Sequence, residues 1–295
     1  MNFNIKSDLK LIREFFNLTQ EELALELGFE RLRIARIESG DITPRIEFLD
    51  KFYSYCFDKG LKLNIQKSMF YKDDIDRDHI LLFHSSRNEI LGDIDTNHNI
   101  GTNDFGNGFY CGDSFENVTS FSSKYPNSCT YIIDFDPLSL KYVRFNVDLE
   151  WVFLIAYYRG KLNKYKDNKI VIDLINKMKD VDYVIAPIAD NRMFETIDLF
   201  INNEITDEEC RHSLSATSLG LQYVFLNNNA CKHLKIIEKC FVSSSEKNYY
   251  NNKQKKLQKE GLDKNTISKI KYKNMGKYLE ELLNENNWFR WFIFM

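Results

Sequence analysis

The feature that most constrains the fold is a pair of short helical segments near the amino terminus, joined by a glycine. Thr19 is predicted to cap the first helix, because its hydroxyl can accept from free backbone N–H groups while Glu22 reaches back. Gly28 ends this helix, and Gly40 follows a second one over Arg31 to Ser39. Two short helices joined by a tight glycine turn predict a helix-turn-helix.

This segment resembles the Cro/repressor-type helix-turn-helix family. The resemblance covers roughly residues 5–60 and rests on the strings LTQEELALELGF and IARIESG, followed by Pro44. In that family the second helix of the motif reads DNA. The resemblance implies that four side chains meet phosphates or base edges: Gln20, Arg31, Leu32 and Arg36. Ile34 and Ile37 are expected to face the small core.

A different role for this module is also compatible with the sequence. Glu30 places a negative charge at the start of the presumed recognition helix. Residues 1–66 carry ten basic and eleven acidic side chains, so their electrostatic attraction to DNA is expected to be weak. The module is therefore predicted either to bind DNA or to serve dimerisation or partner docking.

Composition indicates a folded chain that is long enough for two domains or for one large one. The 295 residues are 43% hydrophobic and include 23 Phe and 16 Tyr, enough for a substantial core. The six cysteines show no CxxC pair, which predicts free thiols and no metal site. We find no secretory signal and no apolar run that could cross a membrane, so we expect a cytoplasmic protein without membrane contact.

Three separated strings carry the chemistry of the longer region. An apolar run predicts a buried strand that ends at His84-Ser85-Ser86, although such a histidine taken alone is most often a core residue. The string Asp104-Phe105-Gly106-Asn107-Gly108-Phe109-Tyr110 places two glycines around a sharp bend. The third string, Leu221 to Leu226, is a predicted strand containing Gln222, followed by a predicted helix from Ala230 to Ile237.

Together these strings resemble the motifs with which ADP-ribosyltransferases of the diphtheria-toxin and poly-ADP-ribose-polymerase clan hold NAD. The likeness spans roughly residues 80–242 and is greatest to a bacterial toxin-like branch that shares the DFGxGFY and PxAD strings. Phe121, eleven residues after Tyr110, matches a second aromatic of the diphtheria-type branch. The resemblance implies a split β-sheet domain and NAD as a substrate.

The resemblance also implies roles for particular residues. Tyr110 and Phe121 would sandwich the cationic nicotinamide ring by stacking and cation–π attraction, and His84 would bond to a ribose hydroxyl. The implied NAD-binding residues are His84, Ser85, Ser86, Gly108, Phe109, Tyr110 and Phe121. The implied catalytic residues are Gln222, His84 and Tyr110.

Gln222 stands where active members of the clan usually carry a glutamate. Cleavage of the nicotinamide glycosidic bond passes through an oxocarbenium-like state, which a carboxylate stabilises. A glutamine can hold the ribose hydroxyl but supplies neither charge nor a base. Asp190 and Glu195 are candidate auxiliary acids, and each also reads as a structural or solvated residue.

The carboxy-terminal segment is the basic part of the chain. Residues 241–295 carry 11 basic and 6 acidic side chains. Lys247 to Lys273 is read as a solvated helix, a flexible linker or a nucleic-acid contact. The final apolar residues, 288–295, are too short to cross a bilayer and are expected to dock on this chain, on a second copy or on a partner.

The predicted fold class is α+β: a small all-α helix-turn-helix domain followed by an ADP-ribosyltransferase-like split β-sheet domain. The segments are residues 1–66 for the first domain, a linker over 67–79, the second domain over 80–242, and an extension over 243–295. Leu61 to Ile65 is expected to be extended.

The leading functional hypothesis is an NAD-dependent ADP-ribosyltransferase, a glycosyltransferase acting on a protein or nucleic-acid acceptor. It would serve as a bacterial toxin or phage-defence effector, with an antitoxin or other inhibitor protein as partner. The helix-turn-helix would control its own operon or deliver it to DNA. The alternatives are a non-catalytic regulator that senses NAD or ADP-ribose, and an interaction protein without a ligand; a homo-oligomer fits each of them.

Overall fold

The computed structural model describes residues 3–98, 103–189, 191–215 and 220–284. The chain is α+β and divides into two compact units. The first unit contains Met1–Leu91, Ser114–Pro137 and Leu234–Gln254. The second contains Gly92–Asp113, Leu138–His233 and Lys255–Met295.

The helices and strands follow one another along the chain. The helices are α1 (Ile5–Phe15), α2 (Gln20–Leu27), α3 (Arg31–Ser39), α4 (Ile46–Asp58), α5 (Leu63–Asp74), α6 (Phe115–Ser122), α7 (Leu149–Tyr158), α8 (Lys169–Lys177), α9 (Asn191–Ile201), α10 (Asp207–Leu214), α11 (Asn228–Cys231), α12 (Ser244–Lys271) and α13 (Leu279–Asn284). The strands are β1 (Ile80–Ser86), β2 (Phe109–Gly112), β3 (Cys129–Phe135), β4 (Tyr142–Arg144), β5 (Tyr183–Pro187), β6 (Leu221–Phe225) and β7 (Leu234–Cys240).

The predicted helix-turn-helix is confirmed as α2 and α3. The Thr19 hydroxyl accepts from the Glu22 backbone N–H at 3.2 Å, and the Glu22 carboxylate accepts from the Thr19 N–H at 2.7 Å. Gly28 and Gly40 take left-handed conformations, with φ of 69° and 88°, and end the two helices. The core of this module includes buried aliphatic side chains of α1, α2 and α3: Leu9, Ile12, Leu23, Ala24, Ile34 and Ile37.

The prediction of an extended segment from Leu61 to Ile65 and of a polar connector from residue 67 is wrong, because α5 covers Leu63–Asp74. Its polar residues are not all solvated. Lys67 is buried and ion-paired to Asp8 of α1 at 2.8 Å and to Glu238 of β7. Because the segment is rich in polar residues, its sequence did not indicate that α5 is a helix packed on one side.

Three antiparallel strands belong to the first unit, with β3 between β1 and β7. The predicted helix from Ala230 to Ile237 is wrong, since α11 ends at Cys231 and β7 begins at Leu234. The predicted strand that ends at Ser86 is confirmed as β1.

Four strands belong to the second unit, in the order β4-β5-β6-β2. The β4–β5 pair is parallel and the other two pairs are antiparallel. The predicted strand at Leu221 is confirmed as β6, which lies between β5 and β2. Large buried side chains of this core include Trp151, Phe153, Phe200, Val184 and Val224.

The lysine-rich segment forms the 28-residue helix α12. Its amino-terminal part is buried at Glu246 and Tyr250, whereas Lys255 and Lys256 are exposed. Among the described residues, no helix has the length and apolar character needed to cross a membrane. The apolar residues 288–295 lie outside the described residues.

Candidate functional site

The solvent-exposed surface of α3 carries three arginines. Arg31, Arg33 and Arg36 are exposed, and Leu32 on the same helix is 61% exposed. The buried Ile34 fixes this orientation from the opposite side of the helix, as predicted. Arg33 was not among the predicted DNA-binding residues, although its three-residue spacing from Arg36 is the signal that places both on one face.

Gln20 is engaged within the helix-turn-helix. Its amide donates to the Glu38 carboxylate at 2.8 Å. Glu38 also accepts two bonds from the Arg13 guanidinium, at 2.5 and 3.1 Å. The hydrogen bond to Glu38 raises the pKa of Arg13 despite partial burial. This ion pair neutralises a carboxylate of α3 that would otherwise repel phosphate.

In the second unit, the two glycines of the DFGxGFY string are required by the backbone geometry. Gly106 has φ of 74°, and a Cβ there would lie 3.0 Å from the Tyr158 ring. A Cβ on Gly108 would lie 2.9 Å from the Phe225 carbonyl oxygen. The Tyr110 hydroxyl closes the bend by donating to the Gly106 carbonyl at 2.8 Å. Burial raises the pKa of this phenol.

Tyr110 and Gln222 lie on one face of the β2–β6 pair. The register sets Tyr110 opposite Val224 and Gly112 opposite Gln222, so the two side chains are diagonal neighbours. Gln222 is 6% exposed. Its Nε2 donates to Asp104 Oδ2 at 3.0 Å and to the Pro187 carbonyl oxygen at 2.9 Å.

Asp104 brings a carboxylate to Gln222 that the sequence reasoning missed. Its other oxygen, Oδ1, accepts from Arg159 Nη2 at 3.0 Å. The Arg159 guanidinium carbon lies 3.3 Å from the centroid of the Phe194 ring, a cation–π contact. Asp104 is the first residue of the DFGxGFY string. Its position beside the glycine bend that leads into β2 is the sequence feature that could have identified it.

Phe109 is buried on β2 of the second unit, whereas His84, Ser85, Ser86 and Phe121 belong to the first unit. His84 is buried on β1 opposite Tyr131 of β3. The Ser85 hydroxyl lies 3.2 Å from that of Thr130 and donates to the Cys129 carbonyl at 3.2 Å. The Ser86 hydroxyl donates to the Asn88 carbonyl, and Phe121 of α6 is 40% exposed.

The structure describes one of the two candidate auxiliary acids. Glu195 is exposed on α9, and Asp190 lies outside the described residues.

The predicted free thiols are confirmed: all six cysteines are free and buried. Within the described ranges, no group of His, Cys, Asp and Glu side chains is arranged to hold a metal ion.

The helix pair and its core define an amino-terminal helix-turn-helix domain of the Cro/repressor type, and residues 9–52 match the helix-turn-helix family. The chain belongs to the family described as "Protein of unknown function (DUF3990)", which matches residues 80–236. An uncharacterized HTH-type transcriptional regulator of Methanocaldococcus jannaschii is 37% identical over 70 residues, which are 24% of this chain and 98% of that protein. No solved structure matches the chain.

Proposed function

We propose that the chain is a DNA-binding regulator that reads the major groove with α3. The observation that carries the proposal is the exposure of Arg31, Arg33 and Arg36 on the second helix of a helix-turn-helix. Arginine is suited to both phosphates and guanine edges, because its planar guanidinium donates in pairs. The similarity to a protein named as a transcriptional regulator agrees with this role.

The net charge of residues 1–66 predicts weak attraction to DNA, but the charge on the exposed surface of α3 differs from that of the module as a whole. Residues 1–66 are slightly acidic as a whole, but Glu38 on α3 is neutralised by Arg13. The outer surface of the helix is therefore cationic where DNA would approach. Leu32 on this surface is suited to an apolar contact with a thymine methyl group.

The test is selection of a bound sequence from randomised duplexes, followed by fluorescence anisotropy with the full chain. We expect Arg33→Gln and Arg36→Gln each to weaken binding to the selected duplex by about tenfold, as for loss of a base or phosphate contact. Lys72→Gln removes an exposed charge from α5 and is expected to leave binding unchanged. Equal effects of all three variants, or no enriched sequence, would refute the proposal.

We propose further that residues 80–236 bind NAD or ADP-ribose. The glycine bend, Tyr110 and Gln222 of the resemblance to ADP-ribosyltransferases are neighbours in the second unit. Their arrangement supports this ligand, because an amide beside an aromatic ring provides both a ribose contact and a stacking surface.

The charges around Gln222 favour binding over transfer. Gln222 is neutral, and the carboxylate that contacts it belongs to Asp104, which is already paired with Arg159. Such a pair carries no net charge, so it stabilises an oxocarbenium-like state less than a free glutamate. A regulator that senses NAD or ADP-ribose is therefore our first assignment.

ADP-ribosyl transfer is the second candidate, favoured by the clan resemblance and by the proximity of the Asp104 carboxylate to Gln222. In this case the chain would modify a protein or nucleic acid, as a toxin or phage-defence effector held by an inhibitor. Cleavage would then depend on Asp104 or on the acceptor itself for charge and base.

Labelled NAD separates the two candidates. We expect saturable NAD binding by the full chain, lost in Gln222→Ala and kept in the surface control Lys179→Gln. Transfer of label to lysate components that disappears in Gln222→Ala, together with toxicity on expression, would assign the transferase. Absence of both binding and transfer at millimolar NAD would refute the ligand.

A further inference from the structure

We infer that Asp104 is a positioning residue that locks the Gln222 amide in one orientation, so that the site recognises a hydroxyl donor such as a ribose hydroxyl. The inference rests on the proposed role of this site in binding NAD or ADP-ribose. It concerns only residues of the second unit that contact one another directly.

The orientation of the amide follows from its two partners. A carboxylate oxygen of Asp104 and the carbonyl oxygen of Pro187 are both acceptors. The NH2 group of Gln222 must face them, because the opposite orientation would set three oxygens against one another without a proton. Both hydrogens of Nε2 are then used within the protein.

The remaining polar atom of Gln222, Oε1, is an acceptor only. A ligand atom that bonds to this side chain must therefore donate, which suits a sugar hydroxyl and excludes a phosphate oxygen. The charged Asp104 polarises the amide through its hydrogen bond and makes Oε1 a stronger acceptor. Gln222 can thus retain the ribose contact of the usual glutamate while lacking its charge.

Asp104 is itself fixed by Arg159. Two contacts restrict rotation of the guanidinium, because it donates to Asp104 Oδ1 and lies over the Phe194 ring. One oxygen of Asp104 is thus used by Arg159 and the other by Gln222. This division explains how a single carboxylate can set the orientation of the amide.

The hydrogen bonds from Gln222 to Asp104 and Pro187 also determine which side chains are favourable at position 222. A glutamate there would put a carboxylate oxygen at the place of Nε2, beside Asp104 Oδ2 and the Pro187 carbonyl. Restoring the usual glutamate is therefore unfavourable while Asp104 is present. An asparagine at position 104 would accept from Arg159 through its amide oxygen and donate to that glutamate through its amide nitrogen. The double change therefore moves the carboxylate from one position to the other.

Thermal unfolding of the full chain without ligand tests the lock. At pH 7.5 we expect Gln222→Glu to lower the melting midpoint by on the order of 5 °C. Asp104→Asn combined with Gln222→Glu should recover at least half of that loss. Asp113→Asn, which removes a carboxylate from the exposed bond to the Leu221 N–H, is the matched control and should change little.

Two results would overturn the lock: a Gln222→Glu protein as stable as the wild type, or a double variant no more stable than Gln222→Glu. Calorimetric titration with NAD then tests recognition. Asp104→Asn should weaken NAD binding by about tenfold, and unchanged affinity would refute the positioning role. If the wild type binds no NAD, the proposed ligand fails, whereas the melting experiment still decides on the lock.

Discussion

A buried carboxyl group at the start of α12 links stability to pH. Glu246 is 3% exposed, and burial raises its pKa to about 7, although hydrogen bonds from Ser243 and Asn64 oppose this rise. In the unfolded chain its pKa is near the ordinary value of 4.5. The folded chain therefore binds this proton more tightly than the unfolded chain, so the stabilising contribution is complete below pH 4.5 and is lost as pH rises through 7.

The prediction is that the part of the unfolding free energy due to Glu246 falls by on the order of 3 kcal/mol between pH 4.5 and 7. Glu246→Gln should remove this part, because glutamine does not titrate. Denaturant unfolding of both proteins at pH 5, 6, 7 and 8 measures the difference. Parallel pH profiles for the two proteins would contradict it, and Glu21→Gln on exposed α2 serves as the control.

At the scale of single residues, the sequence identified part of the candidate site. Tyr110 and Gln222 were predicted to act together, and their side chains share one face of the β2–β6 pair. Asp104 was missed because its importance depends on Arg159 and on the strand register, which bring together residues far apart in the chain. Gln20 was predicted to meet DNA, but its bond to Glu38 is tertiary and has no local signal.

At the scale of elements, local patterns predicted the helices with clear caps and missed those with buried charges. The capping box at Thr19 and the glycine at position 28 identified α2 correctly. In β7 the alternation expected of a strand is broken, because the register with β3 shifts by one residue after Ile236. The charged residues Lys235, Glu238 and Lys239 have the spacing of one face of an amphipathic helix, although Glu238 and Lys239 are buried in this strand.

The close contact of Gly108 with β6 gives a prediction at this scale. Gly108→Ala should reduce the free energy of unfolding by on the order of 2 kcal/mol, because the added methyl group meets the Phe225 backbone at 2.9 Å and the strands must move apart. Asn107→Ala changes an exposed position of the same bend and should have an effect within about 0.5 kcal/mol. Chemical denaturation of both variants is the measurement, and equal losses would contradict the account.

At the scale of the whole molecule, the first unit joins segments that are far apart in the sequence. Lys67 of α5 pairs with Asp8 of α1 and with Glu238 of β7. Tyr53 donates to Asp8 at 2.6 Å, and Tyr71 donates to Glu238 at 2.8 Å. Burial alone would lower the pKa of Lys67, but the two carboxylates raise it above its ordinary value. The helix-turn-helix and the strands of this unit therefore share a buried ionic network.

Removing the cation from this network should be costly. Lys67→Met leaves two buried carboxylates without a counter-ion, and we expect a loss of about 3–5 kcal/mol in the free energy of unfolding. Lys51→Met breaks the exposed pair with Glu47 on α4 and should cost less than about 1 kcal/mol. Urea unfolding of the two variants measures both losses, and a Lys67→Met protein as stable as Lys51→Met would refute the importance of the network.

The central claim is that the chain is a regulator that contacts DNA through α3. The most direct measurement is the salt dependence of duplex binding by the full chain, because each neutralised phosphate adds about 0.9 to the slope of log affinity against log salt. We predict that Arg31→Gln reduces this slope by about 1, whereas Lys72→Gln leaves it unchanged. A slope that does not change in Arg31→Gln, Arg33→Gln or Arg36→Gln would contradict the claim.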